Sequence, residues 1–330
     1  MNIWNQRRAA GLLLLSVGAL ALGSCGGGGG SSSSAPPVAL PTPTPTPAST
    51  PTPTPSPTYL LATDLTADRD FPGWGVRLQT IYTAPPPGSP ATVRGTNAYS
   101  AVIADETRAA GFTYVAAART YTARWFADER SFGPATSSVF QGFLPIDSVG
   151  AEFFRGPFRI SVAQQAYTQY LGGISWQIYT GNGNAALNSE LREHFSVFGY
   201  PTQASDLPTS ASGTYRLNPS SRQVGLPFDY TSGFEDVQLT INWQTGAVTG
   251  IWTAPVNADA PAGSPALSLT VTGQVNPGTS RMSGTISGQG FGGSFTGAVF
   301  GPRAQEIGFA YQINDGRGGF IVGTVGSVRS

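Results

Sequence analysis

Apolar residues recur at every second position over most of the last third of the chain. Phe291, Phe295 and Val299 fall at even spacing, as do Ile307, Phe309, Tyr311 and Ile313; upstream, Val237, Leu239, Ile241 and Trp243 do the same. A period of two puts alternate side chains on opposite faces, so each run predicts a strand with one buried face. The runs are 214–217, 223–228, 237–243, 247–253, 267–275, 282–287, 293–300, 307–313 and 320–328, eight or nine strands in all. Asn276-Pro277-Gly278 and Asn314-Asp315-Gly316 suit tight hairpins between them. An even set of short meandering strands closes on itself and so removes exposed edges. A barrel this small is filled by side chains. Gly293, Gly297, Gly308 and Gly323 interrupt the runs, where glycine permits sharp bends and close backbone approach.

Between two of the predicted strands, residues 300–308 read Phe-Gly-Pro-Arg-Ala-Gln-Glu-Ile-Gly. Pro302 suits the first position of a short helical turn, and Gly308 permits a positive φ where the chain returns to a strand. This stretch resembles the motif that ends each barrel of transferrin-binding protein B and its relatives. Val299 stands in the first aromatic place of that motif, and Phe309 stands where its second Gly is usual. A second stretch is also similar to the family. In it His194-Phe195-Ser196-Val197-Phe198-Gly199-Tyr200-Pro201-Thr202 leads through Leu207-Pro208 to Gly213-Thr214-Tyr215. The resemblance covers roughly residues 155–330. It implies an all-β chain: a handle-like β domain at 59–208, then an eight-stranded antiparallel β-barrel at 209–330.

In the first folded region the patterning predicts strands at 76–83, 98–104, 112–118, 121–127, 158–163 and 174–180. Turn clusters separate them, notably at 84–90 and 181–184, and a short helix is predicted over 185–192.

Composition changes the picture at the N-terminus. Only 11% of the residues are charged, with 43 Gly and 27 Pro, and every basic residue is Arg. Residues 1–25 combine Arg7-Arg8 with an apolar run at 11–22 that is too short for a stable span, which reads as a signal peptide. It ends in Leu22-Gly23-Ser24-Cys25, which resembles the lipobox of bacterial lipoproteins, so Cys25 is the expected lipidation site and the link to the bilayer. Gly26 after the Cys favours the outer membrane; which of its faces is occupied stays open. Residues 26–58 run from Gly/Ser into Pro-Thr repeats, a flexible and then extended tether. Its Pro-rich part reaches roughly 70 Å at ~3.1 Å per residue.

Absences limit the chemistry. Without Lys there is no P-loop Lys, Schiff base or Ser-Lys dyad. The single Cys is taken by lipid, which leaves no thiol nucleophile and no internal disulfide. His194 is the one His; beside Glu190 and Glu193 it reads as a metal or haem ligand or as a partly exposed residue before a strand. Gly288, Gly290 and Gly293 match a dinucleotide fingerprint in spacing but lead into a strand. Asp105-Glu106, Asp128-Glu129 and Glu235-Asp236 are adjacent and would point to opposite faces, so paired-carboxylate catalysis is not expected. Trp74, Trp125, Phe126, Phe132, Phe140, Phe143, Phe153 and Phe154 crowd the first region. Some of them, in a long loop over 130–154, are candidates for a binding surface. With net charge zero and no basic stripe in the sequence, nucleic acid and polybasic membrane contact are not expected.

The residues read as a non-enzyme without a resident cofactor. The family resemblance implies capture of a protein or haem ligand for iron or haem acquisition, alongside a TonB-dependent receptor. The alternative is a structural envelope lipoprotein with no specific ligand.

Overall fold

The computed structural model describes residues 58–330 apart from 63–64, 85–87, 90–95, 106–109, 133–150, 157–158, 162–165, 181–188, 210 and 231–234. Cys25, the signal segment and most of the tether lie outside the described residues, as do Phe140 and Phe143. Among the described residues no helix is long and apolar enough to cross a membrane.

The first region is built from β1 (Arg69–Thr83), β2 (Thr96–Ala104), β3 (Gly111–Val115), β4 (Thr120–Trp125), β5 (Asp128–Phe132), β6 (Ala151–Gly156), β7 (Arg159–Ser161), β8 (Ala166–Tyr167), β9 (Leu171–Thr180) and β10 (Ser189–Gly199). Its main sheet runs β5-β4-β3-β1-β10-β9-β6, with β2 also on β1, while β7 and β8 form a separate pair. Strand β1 serves two partners in turn: residues 69–72 pair with β3, and the rest lies between β2 and β10.

Alternation along β1 divides its side chains between two cores. Phe71 points into the region's own core with Phe112, Trp125, Ile174, Trp176 and Phe198. Trp74, Val76 and Leu78 point the other way, onto the outside of the barrel that follows. Trp74 meets Phe300 edge-on at 5.6 Å, and Val76 and Leu78 pack on Ala310 and Val322. Each such fully buried large side chain contributes about 1.5–3 kcal/mol of apolar burial.

The helix predicted over 185–192 is not formed where the chain is described. Glu190, Leu191 and Arg192 are good helix formers, but all three sit in β10 and pair with β1 and β9. A ladder on both sides outweighs propensity differences of a few tenths of a kcal/mol.

The second region is a closed antiparallel barrel in chain order. Its strands are β11 (Ser212–Val224), β12 (Glu235–Asn242), β13 (Ala247–Ala254), β14 (Leu267–Val275), β15 (Arg281–Gly288), β16 (Phe291–Phe300), β17 (Glu306–Asn314) and β18 (Phe320–Val328). The runs predicted at 214–217 and 223–228 are one strand. Residues 212–217 of β11 pair with β12, and residues 218–224 pair with β18, which closes the ring. Pro219 sits just after that change of partner, where a missing N–H is tolerated.

The barrel is filled. Trp252 stacks on Phe309 at 5.9 Å and meets Tyr311 edge-on at 4.9 Å, with Phe295 beside Phe309 at 5.2 Å. Gly273 and Gly284 face each other across β14 and β15, and a Cβ on either would run into the Phe295 ring. One end of the barrel, here termed the base, carries the turns after β12, β14 and β16 and the C-terminus. Tyr215 plugs it, donating its hydroxyl to the Ala304 carbonyl at 2.6 Å. At the far end Tyr230 packs on Phe228 and Phe291, its backbone clamped by the Gln223 amide at 2.9 and 3.0 Å.

The turn after β16 makes the junction between the two regions. Gly301 has φ 72°, and the Tyr170 ring lies where its Cβ would be. Pro302 opens the short 3-10 turn as expected, but positive φ falls on Arg303 and Ala304 rather than on Gly308. Gly308 instead leaves room for Phe300 and Leu171. Glu306, buried at the start of β17, accepts backbone N–H bonds from Gln169, Tyr170 and Leu171 at 2.6, 2.9 and 3.1 Å.

Candidate functional site

The polar centre of the first region lies where the β4–β5 hairpin folds over β1 and β10. Cross-strand register puts Arg77 opposite His194 and Gln79 opposite Arg192, all on one face. Gly75 precedes them on that face; a Cβ there would strike Trp125 and the Ser196 hydroxyl, so glycine lets the indole lie against the strand. The hairpin tip then delivers Asp128 over the row.

One carboxylate gathers three groups. Asp128 accepts from Arg192 Nη1 at 2.5 Å, from His194 Nε2 at 3.3 Å and from Arg77 Nη1 at 3.5 Å. Arg192 also donates through Nε to Glu190 at 2.6 Å. His194 is fully buried, stacked on Trp176 at 3.8 Å and met edge-on by Trp125 at 5.8 Å. Burial lowers its pKa to about 4, although Asp128 pulls the other way. The imidazole is therefore neutral at pH 7, and its Nε2–H donates to Asp128.

Against this wall opens a pocket of about 330 Å³ lined by Arg77, Gln79, Phe126, Asp128, Glu190 and Arg192. Phe126 stands at its rim, 48% exposed and held at φ 50° in the hairpin turn. A broader depression on the outer barrel wall is lined by uncharged residues, among them Thr240, Thr249, Ile251 and Thr272.

The structure redistributes the candidates read from sequence. His194 is not a partly exposed residue before a strand; it is buried inside β10, because Trp176 and Trp125 enclose it. Glu190 joins the pocket, whereas Glu193 points to the barrel and pairs with Arg222 at 3.3 Å. In Asp128-Glu129 only Asp128 turns inward and Glu129 is exposed, as adjacent strand positions require. Asp105 follows the end of β2, and Glu235 and Asp236 open β12. Gly288, Gln289 and Gly290 form a tight hairpin turn between β15 and β16, with positive φ at all three. Of the aromatics, Trp74 and Trp125 are core and Phe126 is exposed. Phe132 ends β5, and Phe153 and Phe154 lie in β6. Among the described residues no cluster of His, Cys, Asp and Glu is placed to hold a metal ion. Sequence reading missed Arg77, Gln79 and Arg192; for the first two, polar residues alternating with Val76 and Leu78 were the available signal.

No family model matches the chain, and no curated protein matches it by sequence. Solved structures do. The chain is similar to a mutant of the vaccine antigen transferrin binding protein B from Haemophilus parasuis, with 9% identity and TM-score 0.32, over 78% of this chain and 76% of that one. It is similar to isotype 1 transferrin binding protein B from serogroup B Neisseria meningitidis, with 13% identity and TM-score 0.39, over 77% of this chain and 43% of that one. A surface lipoprotein matches with 13% identity and TM-score 0.37, over 77% of this chain and 98% of that one.

Proposed function

We propose that this chain is a lipid-anchored outer-membrane binding protein that captures a protein ligand on its outer surface, in the service of iron or haem acquisition. The observation that carries the reading is the filled barrel beside an open, ion-paired pocket. Trp252, Phe295, Phe309 and Tyr311 occupy the interior, so a ligand has to be met from outside. Exposed Phe126 beside Arg77 and Arg192 offers the aromatic-plus-guanidinium chemistry that anchors protein interfaces. Lipidation of Cys25 and the Pro-Thr tether would hold that surface off the bilayer.

A protein ligand is favoured over free haem because His194, the one His, is buried against Trp176 with no face open to an iron. A TonB-dependent receptor is the natural acceptor of cargo captured this way.

The test uses the full lipoprotein in detergent, immobilised and exposed to haemin, haemoglobin and transferrin in turn. Binding of an iron-carrying protein, abolished by F126D and without a Soret shift from haemin, supports the reading. Binding to none of the three, together with unchanged growth of a deletion strain under iron limitation, would leave the structural envelope lipoprotein. The anchor is tested separately by palmitate labelling, which C25A should abolish.

A further inference from the structure

The barrel is electrically polarised along its axis, which the linear sequence hides. Arg216, Arg281, Arg303 and Arg329 are scattered over the last third of the chain, yet the register brings them to the base. Arg281 opens β15 just after the base turn, and Arg303 lies in the turn after β16. Arg329 donates its backbone N–H to Gln305 at 2.8 Å and bridges Tyr215, the neighbour of Arg216. Arg216, Arg281 and Arg303 are exposed, and Arg329 is half-buried. Two acidic side chains lie at this end among the described residues. Asp206 accepts from the Tyr59 hydroxyl at 2.8 Å and from Arg303 N–H at 2.9 Å, and Glu306 is turned inward onto Gln169, Tyr170 and Leu171. At the far end lie Asp229, Asp259 and Asp315, with Arg317 as the basic residue among them.

The chain's attachment points the same way. Tyr59, the first residue after the Pro-Thr segment, is pinned at the base by Asp206 and by Gln203 N–H at 3.2 Å. Leu60 and Leu61 follow it, both more than one-third exposed. The chain therefore enters the folded part at its basic end.

We propose that the base of the barrel docks on an anionic lipid surface through Arg216, Arg281, Arg303 and Arg329, leaving the acidic far loops pointing away from the bilayer. The inference rests on the lipid-anchor reading for its geometry, but the charge distribution stands without it. Arginines within a Debye length of anionic headgroups each favour the bound state about fivefold, and salt screens the effect. Repulsion of the far-end aspartates from the same surface adds orientation.

The experiment is flotation of residues 26–330, the chain without its signal segment and Cys25, with phosphatidylcholine vesicles with or without phosphatidylglycerol. Binding is expected only with phosphatidylglycerol, and it should be lost between about 0.1 M and about 1 M salt. R281Q/R303Q, on exposed turn positions, should weaken it by about fivefold per arginine, and the fourfold Arg-to-Gln variant should abolish it. R317Q at the far end should leave it unchanged. Equal binding to neutral vesicles, or equal loss with R317Q, overturns the proposal. Palmitate labelling of the wild type is a separate readout, so loss of docking and loss of the anchor are distinguishable.

Discussion

His194 lies flat on Trp176, ring centroids 3.8 Å apart and planes 6° from parallel. The stack seals the imidazole from water, and burial holds its pKa at about 4 against an ordinary 6.5. A pKa depressed by folding contributes stability above the unfolded value and loses it as pH falls towards the folded one. The first region should therefore weaken between pH 6.5 and pH 4. In H194F, which keeps the stack without a titrating nitrogen, the urea midpoint should depend less on pH across that window. An unchanged pH dependence in H194F would remove His194 as its source.

Glu306 titrates in the opposite sense. Burial raises its carboxyl to about 7, while the N–H groups of Gln169, Tyr170 and Leu171 restrain the rise. A group raised by folding contributes most below its ordinary value, 4.5 here, and loses that contribution as pH climbs through about 7. Carbon-13 NMR of labelled Glu side chains should show one carboxyl with a midpoint near 7 that E306A removes. E306A also strands three backbone donors, that of Leu171 in a buried bond, so it should cost about 1–3 kcal/mol in chemical denaturation. A loss under about 1 kcal/mol would mean that water replaces the carboxylate there.

Gly301 and Tyr170 test the junction sterically. Any Cβ at φ 72° is strained, and this one would also meet the Tyr170 ring. G301A should destabilise by about 1–3 kcal/mol. Y170A in the same chain should recover only the steric part, so the two changes should be non-additive in a double-mutant cycle. Full additivity would place the whole effect in the backbone.

Most of the barrel was legible because alternation survives wherever one face of a strand is dry and the other wet. Leu239 and Ile241 are buried on one face, as their spacing required. The break read between the runs 214–217 and 223–228 covers a change of pairing partner within β11, which sequence cannot distinguish from a turn. Strand β10 was obscured because Glu190, Leu191 and Arg192 prefer helix when judged alone. The pocket was invisible for a related reason: Asp128 meets Arg77 and Arg192 only through the hairpin that carries it across the sheet. Long-range register, not residue type, assembles that site.

The alternation itself gives the sharpest check on the barrel. Ile251 and Trp252 are neighbours in β13, but Ile251 is 60% exposed on the outer wall and Trp252 is fully buried inside. Truncating Trp252 removes the ring that joins Phe309 to Tyr311, so W252A should cost about 3–5 kcal/mol. I251S removes an apolar side chain already in water and should fall within about 0.5 kcal/mol of wild type. A one-residue slip in the pairing of β13 with β14, which sets Trp252 opposite Leu269, would exchange these two outcomes. Urea denaturation of the two variants therefore reads the register directly: a severe I251S with a mild W252A would mean that the strand faces the other way.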